Sequence, residues 1–285
     1  MSPERPHPHS HPPLPRKDPY TQGVRTIHQQ GSRYYVHLGT GDLAPSVTST
    51  LNMEAKPFLQ TWAAGMAAEA AAVTDLEVVQ RIAARDRQAA VDFLRFAAKR
   101  YTKLRADVGS LVHDYFELCL RGEEVPYLHH DVKPYVPHIE GWLDRYQPEL
   151  LYAEGVAWSH EHEYAGSFDF MVKINGKTIL GDLKTSKSVY TSVAAQFAVY
   201  AHADDLITVD RKIQTFPTVD AGAALHITPQ KAEFRPVKID REVFKRFLTL
   251  CRRFTDDRAS DAGVIGRVAW RNETGHLTGT ARRTA

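Results

Sequence analysis

The Asn-Gly dipeptide at positions 175–176 lies between two segments rich in β-branched and aromatic residues, and it constrains the fold more than any other feature of the chain. Asn-Gly is the strongest short-range signal for the turn of a β-hairpin. The flanking segments, 163–174 and 177–185, are therefore predicted to be antiparallel neighbours in a sheet. Counting equally outward from the turn brings Asp169 close to Asp182, so the pattern predicts two carboxylates side by side.

Helical and extended patterns alternate around this hairpin. An Ala-rich stretch at 56–122, nearly free of proline and glycine, has apolar residues at three- and four-residue spacings, which is typical of several helices. Further elements are predicted as a strand at 150–158, a helix at 190–203, strands at 223–228 and 234–239, and a helix at 240–257. This order predicts an α+β fold with a mixed central sheet flanked by helices.

We divide the chain into four parts by composition. These are a tail rich in proline and histidine at 1–22, a mainly helical N-terminal region at 23–107, an α+β core at 108–260 and a polar tail at 261–285. The first tail cannot bury enough apolar surface to offset its ordering entropy, so it is predicted to be disordered. Metal binding by its histidines, His7, His9 and His11, is the alternative interpretation.

Charge and cysteine content limit the classes of function. The chain has 36 Lys and Arg against 34 Asp and Glu, so any affinity for nucleic acid must come from clustered charge. Two cysteines, Cys119 and Cys251, are too few for a disulfide framework, a four-cysteine zinc site or an iron–sulfur cluster. No apolar run reaches the roughly 18 residues of a membrane span. These features predict a cytoplasmic protein without a membrane partner.

The third strand of the core carries the most informative polar residues. Asp182 and Lys184 are two apart, so on a strand they project from the same face. With Asp169 they offer two hard oxygen ligands, which suit Mg²⁺ or Mn²⁺, and a cation that can orient water or stabilise charge on phosphate. The alternative is a surface ion pair of little energetic consequence. The apolar residues around them favour a strand covered on both faces. Burial of a charged side chain there is costly, so such residues indicate a functional role.

An acidic residue two positions before a lysine occurs four times in the chain, so the triplet alone is not specific. Only the copy at Asp182 lies on a predicted strand behind a hairpin that bears another aspartate. The helix that follows carries Gln196 and Tyr200, which are one turn apart and share a face. Their amide and phenol groups are placed to hydrogen-bond a base or the backbone near the acidic pair.

Together these residues resemble a known family. The stretch at 164–200 is similar to the nuclease core of the PD-(D/E)XK superfamily, in particular to the RecB-type branch of CRISPR-adaptation exonucleases and phage recombination nucleases. The resemblance extends over 113–200. It implies a restriction-endonuclease-like core and a DNA exonuclease that uses Mg²⁺ or Mn²⁺ in phage or bacterial recombination and repair. It also implies DNA and a recombination protein as partners, in the host cytoplasm if the chain is phage-encoded.

The resemblance also assigns roles to individual residues. It implies His113, Asp169 and Asp182 as metal ligands, Asp169, Asp182, Lys184 and Glu154 as catalytic residues, and Gln196, Tyr200 and Lys187 as substrate-binding residues. Several relatives hold an iron–sulfur cluster with four cysteines, which this chain cannot provide. Two alternatives remain, namely an endonuclease with the same site and a DNA-binding recombination accessory protein without catalysis.

Other polar and aromatic clusters have plainer interpretations. Two sets of basic residues on predicted helices would grip phosphates without sequence preference, although solvated helix faces explain them equally well. These residues are Arg81, Arg85, Arg87, Arg95, Lys99, Arg100, Lys103 and Arg105 in the first set, and Arg241, Lys245, Arg246, Arg252 and Arg253 in the second. The aromatic residues Trp62, Tyr101 and Tyr190 would stack on bases or belong to the core. The segment 160–163 contains histidine and glutamate, but its spacing does not match a helical zinc motif, so it is predicted to be a loop. The segment 129–131 is also predicted to be a loop, because prolines at 126 and 134 flank it.

Overall fold

The computed structural model describes residues 24–260 together with Val264 and Trp270. The tail at 1–22 and, apart from those two residues, the tail at 261–285 lie outside the described residues. The strands are β1 (Arg25–Gln29), β2 (Ser32–Val36), β3 (Leu43–Pro45), β4 (Glu149–Ser159), β5 (Tyr164–Ile174), β6 (Lys177–Lys184), β7 (Asp205–Thr208), β8 (Ile213–Thr215), β9 (Ala221–Thr228) and β10 (Lys231–Val237). The helices are α1 (Val47–Leu51), α2 (Phe58–Glu69), α3 (Leu76–Ala83), α4 (Arg87–Arg95), α5 (Ala97–Arg121), α6 (Val136–Tyr146), α7 (Ser192–Tyr200) and α8 (Arg241–Ser260), with a π-helical turn at Ala70–Thr74 after α2.

The strands form two sheets, and the fold is α+β as the sequence predicts. A seven-stranded sheet has the order β10-β9-β6-β5-β4-β7-β8, and a three-stranded sheet has the order β1-β2-β3. In the larger sheet β6 and β9 are parallel, whereas the other neighbours are antiparallel. The sheet is therefore mixed, and α7 lies on the crossover between its two parallel strands.

The hairpin of β5 and β6 sets the register at the centre of the larger sheet. Asn175 and Gly176 have φ angles of +50° and +76°, so both are in the left-handed region. A two-residue hairpin turn whose twist matches that of the strands requires this conformation at both positions. The pairing begins at Ile174 with Lys177 and runs back to Phe170 with Gly181. The next position in that register places Asp169 opposite Asp182. The hairpin and its register are thus confirmed.

Helices cover both faces of the larger sheet. One apolar cluster joins β5 and β6 to α1, α7 and α8, with Phe197, Tyr200 and Phe247 among its buried members. A second cluster joins the other face to α5 and α6, with Phe116 and Trp142 at its centre. Burial between two helical layers accounts for the apolar residues that β5 and β6 carry on both faces.

The small sheet packs on the outer part of the large one. Buried residues of its strands, Tyr35 and Ala44, meet Val156 and Trp158 of β4 and Ile207 of β7. The segment 23–107, predicted from the sequence to be mainly helical, therefore begins with three strands and continues with helices α1 to α4 and part of α5. Strands β7 and β8 were also not predicted. Within the described part of the chain, no helix combines the length and apolar character needed to cross a membrane.

Candidate active site

The acidic pair and the lysine converge where β5 and β6 part. The ammonium nitrogen of Lys184 contacts Oδ2 of Asp182, as expected for two side chains on one face of a strand. The side chain of Asp182 is 13% exposed and that of Lys184 is 28% exposed, so both charges lie at the rim of the interior. Asp169 lies across the hairpin from them, and its charge acts on both groups.

Two neighbours hold the carboxylate of Asp169 in place. The backbone N–H of Leu183 donates a hydrogen bond of 2.7 Å to Oδ2 of Asp169. The Asp169 side chain thus accepts the hydrogen bond of a backbone N–H at the point where the pairing of β5 and β6 ends. Nδ1 of His113, on α5, lies 3.5 Å from the same oxygen. The sheet and the helix above it therefore meet at this carboxylate.

Burial and mutual repulsion set the charge state of the pair. Burial raises the pKa of Asp182, the neighbouring charge of Asp169 raises it further, and Lys184 opposes both effects. Burial alone would lower the pKa of Lys184, but the two carboxylates outweigh that effect and the net shift is upward. Lys184 is therefore a cation at neutral pH. Asp182 is therefore a carboxylate that gains from an added positive charge.

The strand pair is irregular at Asp169. Phe168 packs in one core cluster and Phe170 in the other, whereas residues two apart in a regular strand share a face. Glu154, on β4, lies opposite Asp169 and has a φ of +55°. The residues on either side of Glu154 pair with Phe168 and Phe170. A non-glycine residue in the left-handed region costs about 1–3 kcal/mol and persists only where its surroundings enforce it. Glu154 lines a surface groove with Glu117 and Arg121.

The predicted substrate-binding residues occupy three different environments. Tyr200, on α7, is buried, and its burial raises its pKa well above the usual value, with Tyr35, Asp182 and Asp169 adding to the shift. Gly166 makes room for its ring, because a Cβ there would lie 2.5 Å from Cε1 of Tyr200. Gln196 is half-buried one turn before Tyr200, and Lys187 is exposed in the loop after β6. Tyr200 thus borders the acidic pair. Lys187 is three residues beyond Lys184 in the chain.

Other residues of this region carry no signal in the sequence pattern. Tyr35 of β2 is fully buried and donates a 3.3 Å hydrogen bond to Ser167, two residues before Asp169. The guanidinium of Arg33 lies 5.2 Å from the Tyr35 ring centre, and its charge reaches Tyr200. The small sheet therefore adds a cation and a phenol near Tyr200. Neither residue could be placed from the sequence, because β1 to β3 were not predicted.

His226 fixes the segment that follows Lys184. It lies beside Lys184 in the parallel pairing of β6 and β9, and it is only 2% exposed. Its Nε2 is 2.7 Å from the carbonyl oxygen of Ser186, and its Nδ1 is 3.4 Å from a carboxylate oxygen of Glu233. A single polar residue inside the apolar run 223–228 was the signal that could have identified it.

The arrangement suits a hard divalent cation at the carboxylates. Oδ2 of Asp182 is buried and contacts the Lys184 ammonium. Two carboxylates beside one another are ligands typical of Mg²⁺ and Mn²⁺. The ligand atoms of His113, Asp169 and Asp182 are not all within 4.8 Å of one another. His113 contacts Asp169, which lies between it and the rest of the site. Asp169 and Asp182 are therefore the residues that would hold the cation directly.

The basic and aromatic residues of the outer helices are largely exposed. Trp62 and Tyr101 lie edge to face at 6.2 Å with 39% and 46% of their surfaces exposed, and Tyr190 is more exposed still. Acidic neighbours pair with some of the basic residues, as in Arg95 with Asp92. These pairs are typical of a solvated helix face, whereas the exposed aromatic rings are available for stacking.

Comparisons with known proteins give little further information. No protein-family model matches the chain, and no curated protein matches it. One solved structure, titled "Crystal structure of SSO0001", is similar over 54% of this chain and 74% of that chain, at 19% sequence identity and a TM-score of 0.26. A likeness at this level carries no conclusion about the activity of this chain.

Proposed function

We propose that this protein is a divalent-metal-dependent nuclease of the PD-(D/E)XK type that hydrolyses phosphodiester bonds in DNA. The observation that supports the proposal best is the convergence of Asp169, Asp182 and Lys184 from two paired strands. A pair of neighbouring carboxylates at the edge of the interior, one of them with a raised pKa, is costly for a protein that has no use for it.

Asp169 and Asp182 would hold the cation, Mg²⁺ or Mn²⁺. When bound, such an ion lowers the pKa of a water molecule and neutralises charge that develops on the phosphate. Asp169 is oriented for this role by the Leu183 N–H and by His113, which makes His113 a positioning residue in this arrangement. Asp182 contributes a buried carboxylate oxygen whose charged partner is the Lys184 ammonium.

Lys184 supplies a permanent positive charge beside the reacting phosphate. Its ammonium is kept protonated by the two carboxylates and is tethered to Asp182. A cation held before the reaction begins stabilises negative charge at no cost of reorganisation. The hydrogen bond from His226 to the Ser186 carbonyl fixes the backbone after Lys184, which limits how far this charge can move.

Features around the site suit a DNA substrate. The loop that follows Lys184 carries Lys187 and the exposed ring of Tyr190. Cations bind phosphate without regard to base sequence, and an exposed aromatic ring stacks on any base. Degradation from DNA ends, a role in phage or bacterial recombination and a cytoplasmic location follow from the family resemblance, and we include them in the proposal on that basis.

The proposal is tested by incubating the protein with end-labelled linear DNA and with closed circular DNA, in Mg²⁺, in Mn²⁺ and in a chelator. We expect the linear DNA to be degraded only when metal is present, and the circular DNA to persist. Cleavage of circles would identify an endonuclease with the same site. Asp182→Asn removes one negative charge from the site, and we expect it to slow degradation by about 10²–10³-fold, as loss of a group that stabilises transition-state charge does.

The incubation with chelator and the Asp182→Asn variant distinguish catalysis from DNA binding alone. Asp220→Asn is a matched control, because Asp220 precedes β9 and bonds to the backbone of Thr178 at the other end of the sheet. Its rate should equal that of the wild type. DNA binding with no degradation in either metal would overturn the nuclease and favour the accessory protein.

A further inference from the structure

A second group of potential metal ligands lies outside the acidic site. Among the described residues, the ligand atoms of His37, His160 and Asp205 all lie within 4.8 Å of one another. His37 directly follows β2, His160 directly follows β4, and Asp205 begins β7. Three segments that are distant in sequence thus meet between the small sheet and the edge of the large one.

The buried imidazole of His37 points to a missing partner. His37 is 5% exposed, and its Nε2 is buried without a hydrogen bond. This nitrogen lies 3.9 Å from Oδ2 of Asp205, which is too far for a hydrogen bond. A buried polar atom left unsatisfied costs about 1–3 kcal/mol, so a native structure that keeps one needs an explanation, such as an ion.

The other two ligands are already close together and fixed. Nε2 of His160 lies 2.7 Å from Oδ2 of Asp205. The backbone N–H of His160 donates a 2.7 Å hydrogen bond to Asp204, which also accepts one from Ser159, so the turn after β4 is anchored. Ligands around a tetrahedral zinc ion lie about 3.3–3.6 Å apart, given metal–ligand bonds of about 2.0–2.2 Å. Small side-chain rotations would therefore convert this group into a coordination sphere.

Outer groups are also placed to orient His37. Its Nδ1 lies 3.2 Å from both the backbone nitrogen and the hydroxyl of Thr40, and that hydroxyl donates a 2.6 Å hydrogen bond to Asp42. In the structure the backbone N–H of Thr40 donates to Nδ1. Metal binding at Nε2 requires the tautomer with hydrogen on Nδ1, in which the ring donates to the Thr40 hydroxyl instead. A metal-bound histidine typically has such a partner on its other nitrogen.

We infer that His37, His160 and Asp205 form a zinc site that joins the three-stranded sheet to the seven-stranded sheet. Two imidazoles and one carboxylate suit a borderline ion such as Zn²⁺ better than Mg²⁺, which prefers oxygen ligands. Three protein ligands leave the fourth position for water. The site is separate from the acidic pair, because Asp169 is five positions along β5, about 16 Å, from Tyr164 at the end of the β4–β5 pairing.

The test measures Zn²⁺ binding by competition with a chromophoric chelator, and thermal unfolding with and without Zn²⁺. We expect the wild type to bind one Zn²⁺ that His160→Ala and Asp205→Asn lose, with affinity lower by at least about 100-fold. Thr40→Val, which removes only the outer partner, should lose about 10–100-fold. Added Zn²⁺ should raise the unfolding temperature of the wild type and leave those of His160→Ala and Asp205→Asn unchanged.

Two controls separate this site from other histidines. Alanine substitution of His129 and His130, which form a different group of potential ligands with Asp131, should leave the bound Zn²⁺ in place. Substitution of His7, His9 and His11 in the N-terminal tail should also leave it. Because His160 is on an exposed turn, its variant is expected to fold, and far-ultraviolet circular dichroism checks this. Unchanged Zn²⁺ binding in His160→Ala and Asp205→Asn, or loss only on substitution of the tail, would overturn the inference.

Discussion

Lys184→Ala should abolish most of the metal-dependent degradation of DNA, with a fall in rate of about 10²–10³-fold. The substitution removes the cation that Asp169 and Asp182 keep protonated beside them. It also removes a positive charge that repels a metal ion, so affinity for Mn²⁺ should be kept or increased. Loss of rate without loss of metal binding distinguishes a group that acts on the substrate from one that holds the ion.

Lys173→Ala is the matched control for this prediction. Lys173 lies on the same hairpin, is exposed, and pairs with Thr178 near the turn. Its removal takes one positive charge from the protein without touching the acidic pair, so the rate should stay at that of the wild type. Initial rates on end-labelled DNA, measured with thermal unfolding of each variant, check the prediction. Equal rates for Lys184→Ala and Lys173→Ala would contradict it.

Gly181→Ala should destabilise the protein by about 1–3 kcal/mol or more through overpacking. A Cβ at Gly181 would lie 1.9 Å and 2.0 Å from two carbons of the Phe170 ring, which covers this glycine across the hairpin. The ring cannot withdraw easily, because it is fully buried against Phe116 and Trp142 at centroid distances of 5.2 Å and 5.9 Å. Activity should fall as well, since Asp182 is the next residue.

Gly141→Ala provides the comparison for chemical denaturation. Gly141 is exposed on α6, and a Cβ there meets no atom within 4 Å. Alanine is the better helix former by about 1 kcal/mol, so this variant should be more stable than the wild type. The two glycine substitutions should therefore shift the urea midpoint in opposite directions. A midpoint for Gly181→Ala at or above that of the wild type would show that the hairpin is not packed as described.

The sequence was informative where local rules determine geometry. The Asn-Gly turn and the alternating segments on either side set the register of β5 and β6, and this register brings Asp169 to Asp182. The two-residue spacing of Asp182 and Lys184 likewise determined their contact. Each of these relations spans few residues and depends on the period of a strand, so it is readable without knowledge of the rest of the fold.

Relations between distant segments could not be predicted in this way. Strands β7 and β8 are three to four residues long and lie at one edge of the large sheet, and β1 to β3 are held by packing of Tyr35 and Ala44 on it. Such short strands gain their stability from tertiary contacts rather than from their own pattern. The places of Arg33 near Tyr200 and of His37 near His160 depend on those strands, so they became visible only in the folded chain.

Isothermal titration calorimetry with Mn²⁺ tests the central claim most directly, namely that Asp169 and Asp182 together hold a divalent cation. The titration is made with Zn²⁺ excluded, on the wild type, Asp169→Asn, Asp182→Asn and His113→Ala. We predict saturable Mn²⁺ binding by the wild type, loss of that binding in both aspartate variants, and weakening by about 10–100-fold in His113→Ala, where only the positioning of Asp169 is affected. Mn²⁺ binding that is the same in the wild type and both aspartate variants would contradict the account.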